Sequence, residues 1–338
     1  PHGIRRGRRK SGRSYTNERL PLCGAAVRKT RMDDHPPSHS AFDIFHSPFY
    51  TLRMFGLFNN PLFRPPAEAD SLILQVDQGC PYNRCTFCGM YRSVKYRRLP
   101  LSDVRRLIES EAKHASDARR VFLADGDVMH RPFDELEQIL SELAERFPAL
   151  ARVNVYATGS AIAAKSDDQL RRLRELKLQT LYMGLESGDD EILRRVHKAE
   201  TAEIMVEAGR RARAAGLRMS VMILLGLGGA ERTQAHAEAT AAALNKMQPR
   251  LLSALRIVPV PGTELYEDER AGRFVQLTER QVVEELRALI AGLALDNTVF
   301  RANHASNVVP LEARLSRDQQ LLLADLDDLL ASGTLDSL

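Results

Sequence analysis

Long hydrophobic runs are missing from this sequence: nowhere in its 338 residues do 18 or more apolar residues follow one another, so no transmembrane helix is expected. A secretory signal is missing as well, because the basic stretch RRGRRKSGR is not followed by an apolar segment. The cytoplasm is the expected compartment, and no membrane partner is expected. Cysteine is scarce. The chain has four, three of them within residues 80–88 and none after Cys88. A tight trio in a cysteine-poor chain points away from disulfides and towards a metal or cluster site in a reducing environment. A dominant charge is lacking too. The net charge is +4, but residues 1–53 hold 11 Lys/Arg against 4 Asp/Glu, leaving 37 basic and 40 acidic residues in the remainder. That remainder lacks the positive footprint of a dedicated nucleic-acid binder, so nucleic acid is not the expected partner.

What is present is an ordinary globular composition, 44% hydrophobic and 27% charged. Residues 1–45 are rich in Arg, Ser, Pro and His without periodicity, and residues 1–53 read as a basic, disordered leader. Cys23 lies in it and is given no role, and the folded part is expected to begin near Met54. From Ser71 onward short apolar runs alternate with amphipathic segments. SLILQVD (71–77), RVFLAD (120–125), RVNVYAT (152–158), TLYMGLE (180–186), RMSVMILLG (218–226) and LLSALRIVPV (251–260) read as strands. Ser102 is placed to cap a helix with Val104, Leu107, Ile108 and Ala112 on one face, and Ser166 with Gln169 predicts a capping box. Further helices are predicted over 133–146, 189–196, 201–215, 231–247, 278–294 and 315–331. Six strands separated by helices imply a parallel sheet with right-handed crossovers, two units short of a closed barrel. The expected fold is therefore α/β, a partial (β/α)6 TIM-like barrel over residues 54–266. A C-terminal helical extension, 267–338, is expected to complete or cover it.

The chemistry of such folds sits at the C-terminal ends of the strands, and the cysteines follow the first strand. VDQGCPYNRCTFCGMY spaces Cys80, Cys85 and Cys88 as C-x4-C-x2-C. Three thiolates can ligate three irons of a [4Fe–4S] cubane and leave the fourth iron open. A zinc site would need a fourth ligand to close its tetrahedron; His114 and His130, the nearest histidines, lie far along the chain. Spacing alone leaves both readings open.

The loop resembles that of the radical S-adenosylmethionine (radical SAM) superfamily, whose usual spacing is C-x3-C-x2-C with an aromatic before the last cysteine. Here Phe87 takes the aromatic position, and one extra residue separates the first two cysteines. LADGD (123–127) is similar to the family's Gly-Gly-Glu turn, GLESG (184–188) to its fourth-strand polar segment, LLGLGGAERT (224–233) to its Gly-rich fifth-strand end, and VPVPGTELY (258–266) to its P-x-P-G-T turn. The core is closest in type to the Elongator, methylthiotransferase and nitrogenase-cofactor members. The resemblance implies a [4Fe–4S] cluster on the three cysteines and S-adenosylmethionine held near Phe87, Asp125, Gly126, Asp127, Glu186, Ser187, Gly226 and Gly228. It also implies reductive cleavage of that cofactor to a 5′-deoxyadenosyl radical that abstracts hydrogen from substrate, with flavodoxin or ferredoxin as electron donor.

The substrate is expected to be a small molecule. Tyr91, Tyr156 and Thr158 are candidates for lining the cavity. In FRANHASN (300–307), Asn303, His304 and Asn307 are candidate substrate contacts, or else a polar cap on a C-terminal element. The sequence shows neither a second cysteine trio, nor further cysteines for auxiliary clusters, nor a recognisable cobalamin-binding segment. The expected type is a single-cluster, stand-alone oxidoreductase, with the coproporphyrinogen-dehydrogenase type as a neighbour. A non-catalytic cluster- or tetrapyrrole-carrying maturation protein and an RNA-modifying radical SAM enzyme are the alternatives.

Overall fold

The apolar runs recur at the spacing that βα crossovers require, and the computed structural model, which describes residues 62–336, joins them in one sheet. A 3-10 turn at Pro66–Glu68 precedes β1 (Leu72–Gln75). β2 (Asp77–Gln78) and β3 (Arg97–Arg98) form a short antiparallel ribbon that brackets the cysteine loop. The alternation then runs α1 (Leu101–Ala112), β4 (Arg120–Ala124), α2 (Phe133–Arg146), β5 (Arg152–Tyr156), α3 (Gly159–Ala163), α4 (Asp167–Glu175), β6 (Leu178–Glu186), α5 (Asp190–Arg195), α6 (Ala202–Ala214), β7 (Arg218–Leu225), α7 (Gly229–Met247) and β8 (Leu251–Arg256). It ends with α8 (Glu264–Arg270), α9 (Glu279–Gly292), β9 (Thr298–Arg301), β10 (Glu312–Leu315) and α10 (Gln319–Ala331). The leader at 1–53 and Cys23 lie outside the described residues.

β1, β4, β5, β6, β7 and β8 are parallel neighbours in chain order, the partial (β/α)6 barrel expected from the alternation. The extension is not purely helical. β9 adds parallel to β8 and β10 antiparallel to β9, giving eight strands in one sheet. β9 (TVFR) and β10 (EARL) carry neither an apolar run nor sustained alternation. β9 is fixed by tertiary bonds instead: the Thr298 hydroxyl donates to the Pro249 carbonyl at 2.6 Å, and Phe300 is fully buried.

Strand side chains alternate between two environments. Val121, Leu123, Val153, Val155, Leu181, Met183, Val221, Ile223, Leu252 and Ala254 pack outward under helix stripes such as Leu136, Ile139, Leu140 and Leu143 of α2. The opposite parity faces the lumen. Phe122 meets Tyr156 and Tyr182 edge-to-face, with centroids at 5.2 and 5.9 Å. Met222, Ser253 and Arg301 are register partners on that inner face. At the lumen floor, Glu68 accepts from Ser71 Oγ (2.6 Å), from Asn154 Nδ2 (2.7 Å) and from the Tyr182 hydroxyl. Replacing the fully buried Phe122 by Ala would cost about 3–5 kcal/mol from lost burial and the cavity left behind.

Candidate cluster and cofactor site

The three cysteines lie half-buried on the loop between β2 and β3, at the C-terminal end of the first barrel strand. Arg92 ties the loop from below, donating from Nε to the Cys88 carbonyl (3.1 Å) and from Nη2 to the Cys85 carbonyl (2.7 Å). The Tyr82 hydroxyl donates to the His197 carbonyl at 2.6 Å, and the Thr86 amide to the Val196 carbonyl at 3.0 Å. Leu265 N–H closes on Thr86 O at 3.0 Å. The loop is therefore held by the C-terminal end of α5 and the first turn of α8 as well as its own strand.

Gly126, in the turn after β4, presses against this loop. Its amide donates to Gly79 O at 3.1 Å, and a Cβ added there would lie 2.9 Å from Cys80 Cβ and 3.0 Å from Cys80 Cα. Burial pushes all three thiols above their usual range, Cys85 to about 12, and neighbouring thiols add to the effect at Cys85 and Cys88. Bound iron would make thiolates of them. Among the described residues no group of three or more His, Cys, Asp or Glu side chains converges on a single metal ion. A three-thiol donor set on one braced loop, with side-chain-free space at Gly126, fits a cluster in which each thiolate binds a different iron.

Beside the cysteines, Phe87 packs with Leu224 and Phe274 against Ile192, Val196, Leu227, Ile257 and Leu265, an apolar wall contributed by α5 and its C-cap, the segments after β7 and β8, and α8. On the other side stands a part-buried ion pair that pattern reading missed: Lys198 Nζ lies 3.4 Å from Glu186 Oε1. Glu186 has φ +62°, and a Cβ on Gly184 would fall 1.9 Å from its Oε1, so Gly184 provides the room into which the carboxylate folds back. Burial raises the Glu186 carboxyl against the pull of Lys198. At Lys198 burial acts against the charge, but Glu186, Cys85 and Glu200 outweigh it and hold the amine above its usual range. The ammonium charge thus reaches the cysteine cradle.

The other sequence candidates divide. Asp127 is buried and takes the Thr158 hydroxyl at 2.6 Å; burial pushes its carboxyl up to about 6. Thr158 also caps α3, and Glu200, overlooked in the sequence, receives the Ser160 amide and hydroxyl. Asp125 and Tyr91, expected at the cofactor and the cavity, are placed in contacts that brace the loop. The Asp125 carboxylate accepts from Gln75 Nε2 (2.7 Å), Gly79 N (3.1 Å) and Tyr91 OH (2.9 Å), and both residues are buried. Ser187 turns away from the cysteines; its hydroxyl meets His236 Nδ1 at 2.8 Å under α7. Gly226 has φ +78° and donates its amide to Glu285 Oε1 at 2.7 Å, while a Cβ on Gly228 would meet Ile192 Cδ1 at 2.8 Å.

Tyr156 faces the lumen beside Tyr182. In the segment after β9, Asn307 is a structural bridge: it accepts from Arg256 N (2.8 Å) and donates to Ala254 O (2.9 Å), continuing the β8 ladder where β9 has left it. Asn303 donates to Glu312 at 2.5 Å, and His304 is exposed with Nδ1 taken by Ser306. Lys198, Arg92, Glu285 and His236 carried no local signal. Each has a partner 7 to 59 residues away that the local sequence does not indicate.

The radical SAM superfamily model matches residues 74–239. The tRNA-2-methylthio-N(6)-dimethylallyladenosine synthase of Erythrobacter litoralis is 27% identical over 247 residues, which cover 70% of this chain and 52% of that protein. The chain thus spans about half the length of this curated relative. Among solved structures, coproporphyrinogen III oxidase from Escherichia coli aligns with a TM-score of 0.49 at 16% identity, over 65% of this chain and 51% of its own. Methylornithine synthase (PylB) aligns with a TM-score of 0.46 at 16% identity, over 77% and 81%.

Proposed function

We propose, from the premise that this chain is a radical SAM enzyme through its domain at residues 74–239, that it uses the Cys80–Cys85–Cys88 loop to initiate hydrogen abstraction from a small molecule held in the barrel lumen. The observation that carries this reading is the braced three-thiol loop packed on Gly126 at the strand ends. When bound, the [4Fe–4S] cluster and S-adenosylmethionine supply one-electron cleavage of the sulfonium to a 5′-deoxyadenosyl radical.

The chain's own residues bind, orient and exclude water. Phe87 with Ile257 and Leu227 offers a flat apolar wall for the adenine. Lys198 is the cation for the cofactor's carboxylate, and Glu186 and Asp127 are acceptors for its amino group or ribose. Asp125 and Tyr91 support the loop. Tyr156, Met222, Ser253 and Arg301 line the lumen, with Thr158, Asn303 and His304 at its rim. Residues 54–266 act as the radical SAM core, and 267–338 cover its open edge. A flavodoxin or ferredoxin delivers the electron, and the cytoplasm suits a cluster that needs reducing conditions. Among the described residues no helix is long and apolar enough to cross a membrane.

A second reading, RNA modification, is favoured by one observation, the 27% identity to a synthase whose name places it on tRNA. The near-neutral charge outside residues 1–53 weighs against it. Anaerobic reconstitution tests the proposal: about four irons per chain, and 5′-deoxyadenosine released under a chemical reductant. Cys80→Ala, Cys85→Ala or Cys88→Ala should each abolish both. Full iron loading in any of these variants, or bound zinc without iron in the parent, would sink the assignment, and S-adenosylmethionine binding without cleavage would favour the carrier alternative. Stimulation of cleavage by tRNA but not by metabolite pools would favour the RNA reading.

A further inference from the structure

The turn after β7 is clamped by two buried titratable side chains that the cofactor reading does not use. One is His236 on α7. Asp189 N–H donates to Ser187 Oγ (3.0 Å), and the same hydroxyl lies 2.8 Å from His236 Nδ1. Gly188 N–H donates to Thr240 Oγ1 (2.8 Å), which lies 3.3 Å from the same nitrogen. The Leu224 carbonyl can only accept, so His236 Nε2 carries a proton and donates to it at 3.1 Å, and burial favours the neutral ring, in which Nδ1 is the acceptor. The other is Glu285 on α9, fully buried, with Oε1 receiving the Gly226 amide at 2.7 Å and lying 3.7 Å from His236 Nε2. Its Oε2 has no hydrogen-bond partner. A buried carboxyl with one oxygen unserved is costly to keep unless the bond made by the other is needed.

That other bond holds the turn. Gly226 sits at φ +78°, and its amide is pulled back into the protein, away from the Phe87 wall that begins at Leu224 and Leu227. Leu224 is held through its carbonyl and Gly226 through its amide, so the backbone between them has a single position.

We propose that Glu285 is a positioning residue for the cofactor site: from the C-terminal extension, outside the residues matched by the family model, it fixes the 224–228 turn against which the adenosine packs. This rests on the adenosine placement proposed above. Burial pushes the Glu285 carboxyl up to about 7, opposed first by the Gly226 amide; a carboxyl oxygen accepts from that amide whether the group is neutral or charged. It follows that the extension is a working part of the cofactor site.

The experiment uses the full chain. Glu285→Met keeps the volume and removes the acceptor; Glu285→Gln keeps an acceptor oxygen. In Glu285→Met the Gly226 amide should exchange with deuterium at least about tenfold faster than in the parent. The cluster-loaded protein should bind S-adenosylmethionine about tenfold more weakly, a change of about 1.4 kcal/mol, read from the cofactor-induced change in the reduced cluster's EPR signal. Iron content should stay unchanged. Glu285→Gln should restore both values to within about twofold, a rescue that a merely volume-filling role would not produce. Parent-like exchange in Glu285→Met, or faster exchange with unchanged affinity, overturns the proposal. Should Glu285→Met not fold, Glu285→Asp, whose shorter carboxylate cannot reach Gly226, carries the same comparison. If the parent itself shows no EPR response to S-adenosylmethionine, the underlying cofactor reading fails, and that result is read on the parent alone.

Discussion

The Tyr91 hydroxyl donates to the Asp125 carboxylate at 2.9 Å, joining the segment just beyond Cys88 to the turn that ends β4. Asp125 also collects Gln75 and Gly79, so one carboxylate fixes both ends of the cysteine loop to the barrel. Tyr91→Phe would leave Oδ1 buried without its donor, costing about 1–3 kcal/mol. The apo protein should melt a few degrees lower, and the reconstituted protein should lose iron faster on dilution. Parent-like iron retention would show that Gln75 and Gly79 brace the loop without Tyr91.

Gly126→Ala tests the cradle itself. The new Cβ would meet Cys80 Cβ and Cα at about 3 Å, atoms that cannot retreat without moving the ligand. Iron bound after identical reconstitution should fall below about half of the parent value, since a misplaced ligand lowers cluster affinity. A variant that still loads fully would mean the loop can shift outward and that Gly126 is not required.

Lys198 and Glu186 should behave as a coupled pair. Removing one partner strands the other in a buried site, at a cost of about 3–5 kcal/mol that protonation of Glu186 reduces. Lys198→Met is therefore expected to destabilise more than the Lys198→Met/Glu186→Gln double variant. Denaturant unfolding of the four proteins in a double-mutant cycle measures the coupling. Strict additivity would exclude it.

His236 should make stability depend on acid. Burial holds its folded pKa down to about 4, against 6.5 when exposed, with the Leu224 carbonyl and Asp189 pulling the other way. A base depressed on folding contributes stability that is fully present above pH 6.5 and lost as pH falls through 4, up to about 3 kcal/mol over that interval. Apart from other groups, His236→Gln should flatten this part of the profile. Melting temperatures of parent and variant between pH 7.5 and 4 should converge towards the acid end; a constant gap would count against a neutral buried imidazole.

Local pattern was enough for much of this protein. The alternation of apolar runs with amphipathic segments determines six parallel strands in chain order, because side-chain period and crossover handedness are local properties. The serine and glutamine at 166 and 169 close a capping box for the same reason. The spacing of Cys80, Cys85 and Cys88, with Phe87 between the last two, marks the site from the sequence alone.

What the sequence could not assign was the direction in which polar side chains turn. Asp125 and Asp127 stand two residues apart in one turn, yet one braces the loop while the other meets Thr158 after β5. Ser187 and Glu186 are adjacent, and only Glu186 turns to Lys198 by the cysteines. Lys198 and Glu285 matter through partners at the ends of other strands, and four-residue strands such as β9 and β10 exist because an open barrel edge gives them backbone groups to bind. The cysteine trio was legible because its ligands share one short loop; the residues that hold it in place were not, because burial and long-range hydrogen bonds arise only when the strand ends are brought together.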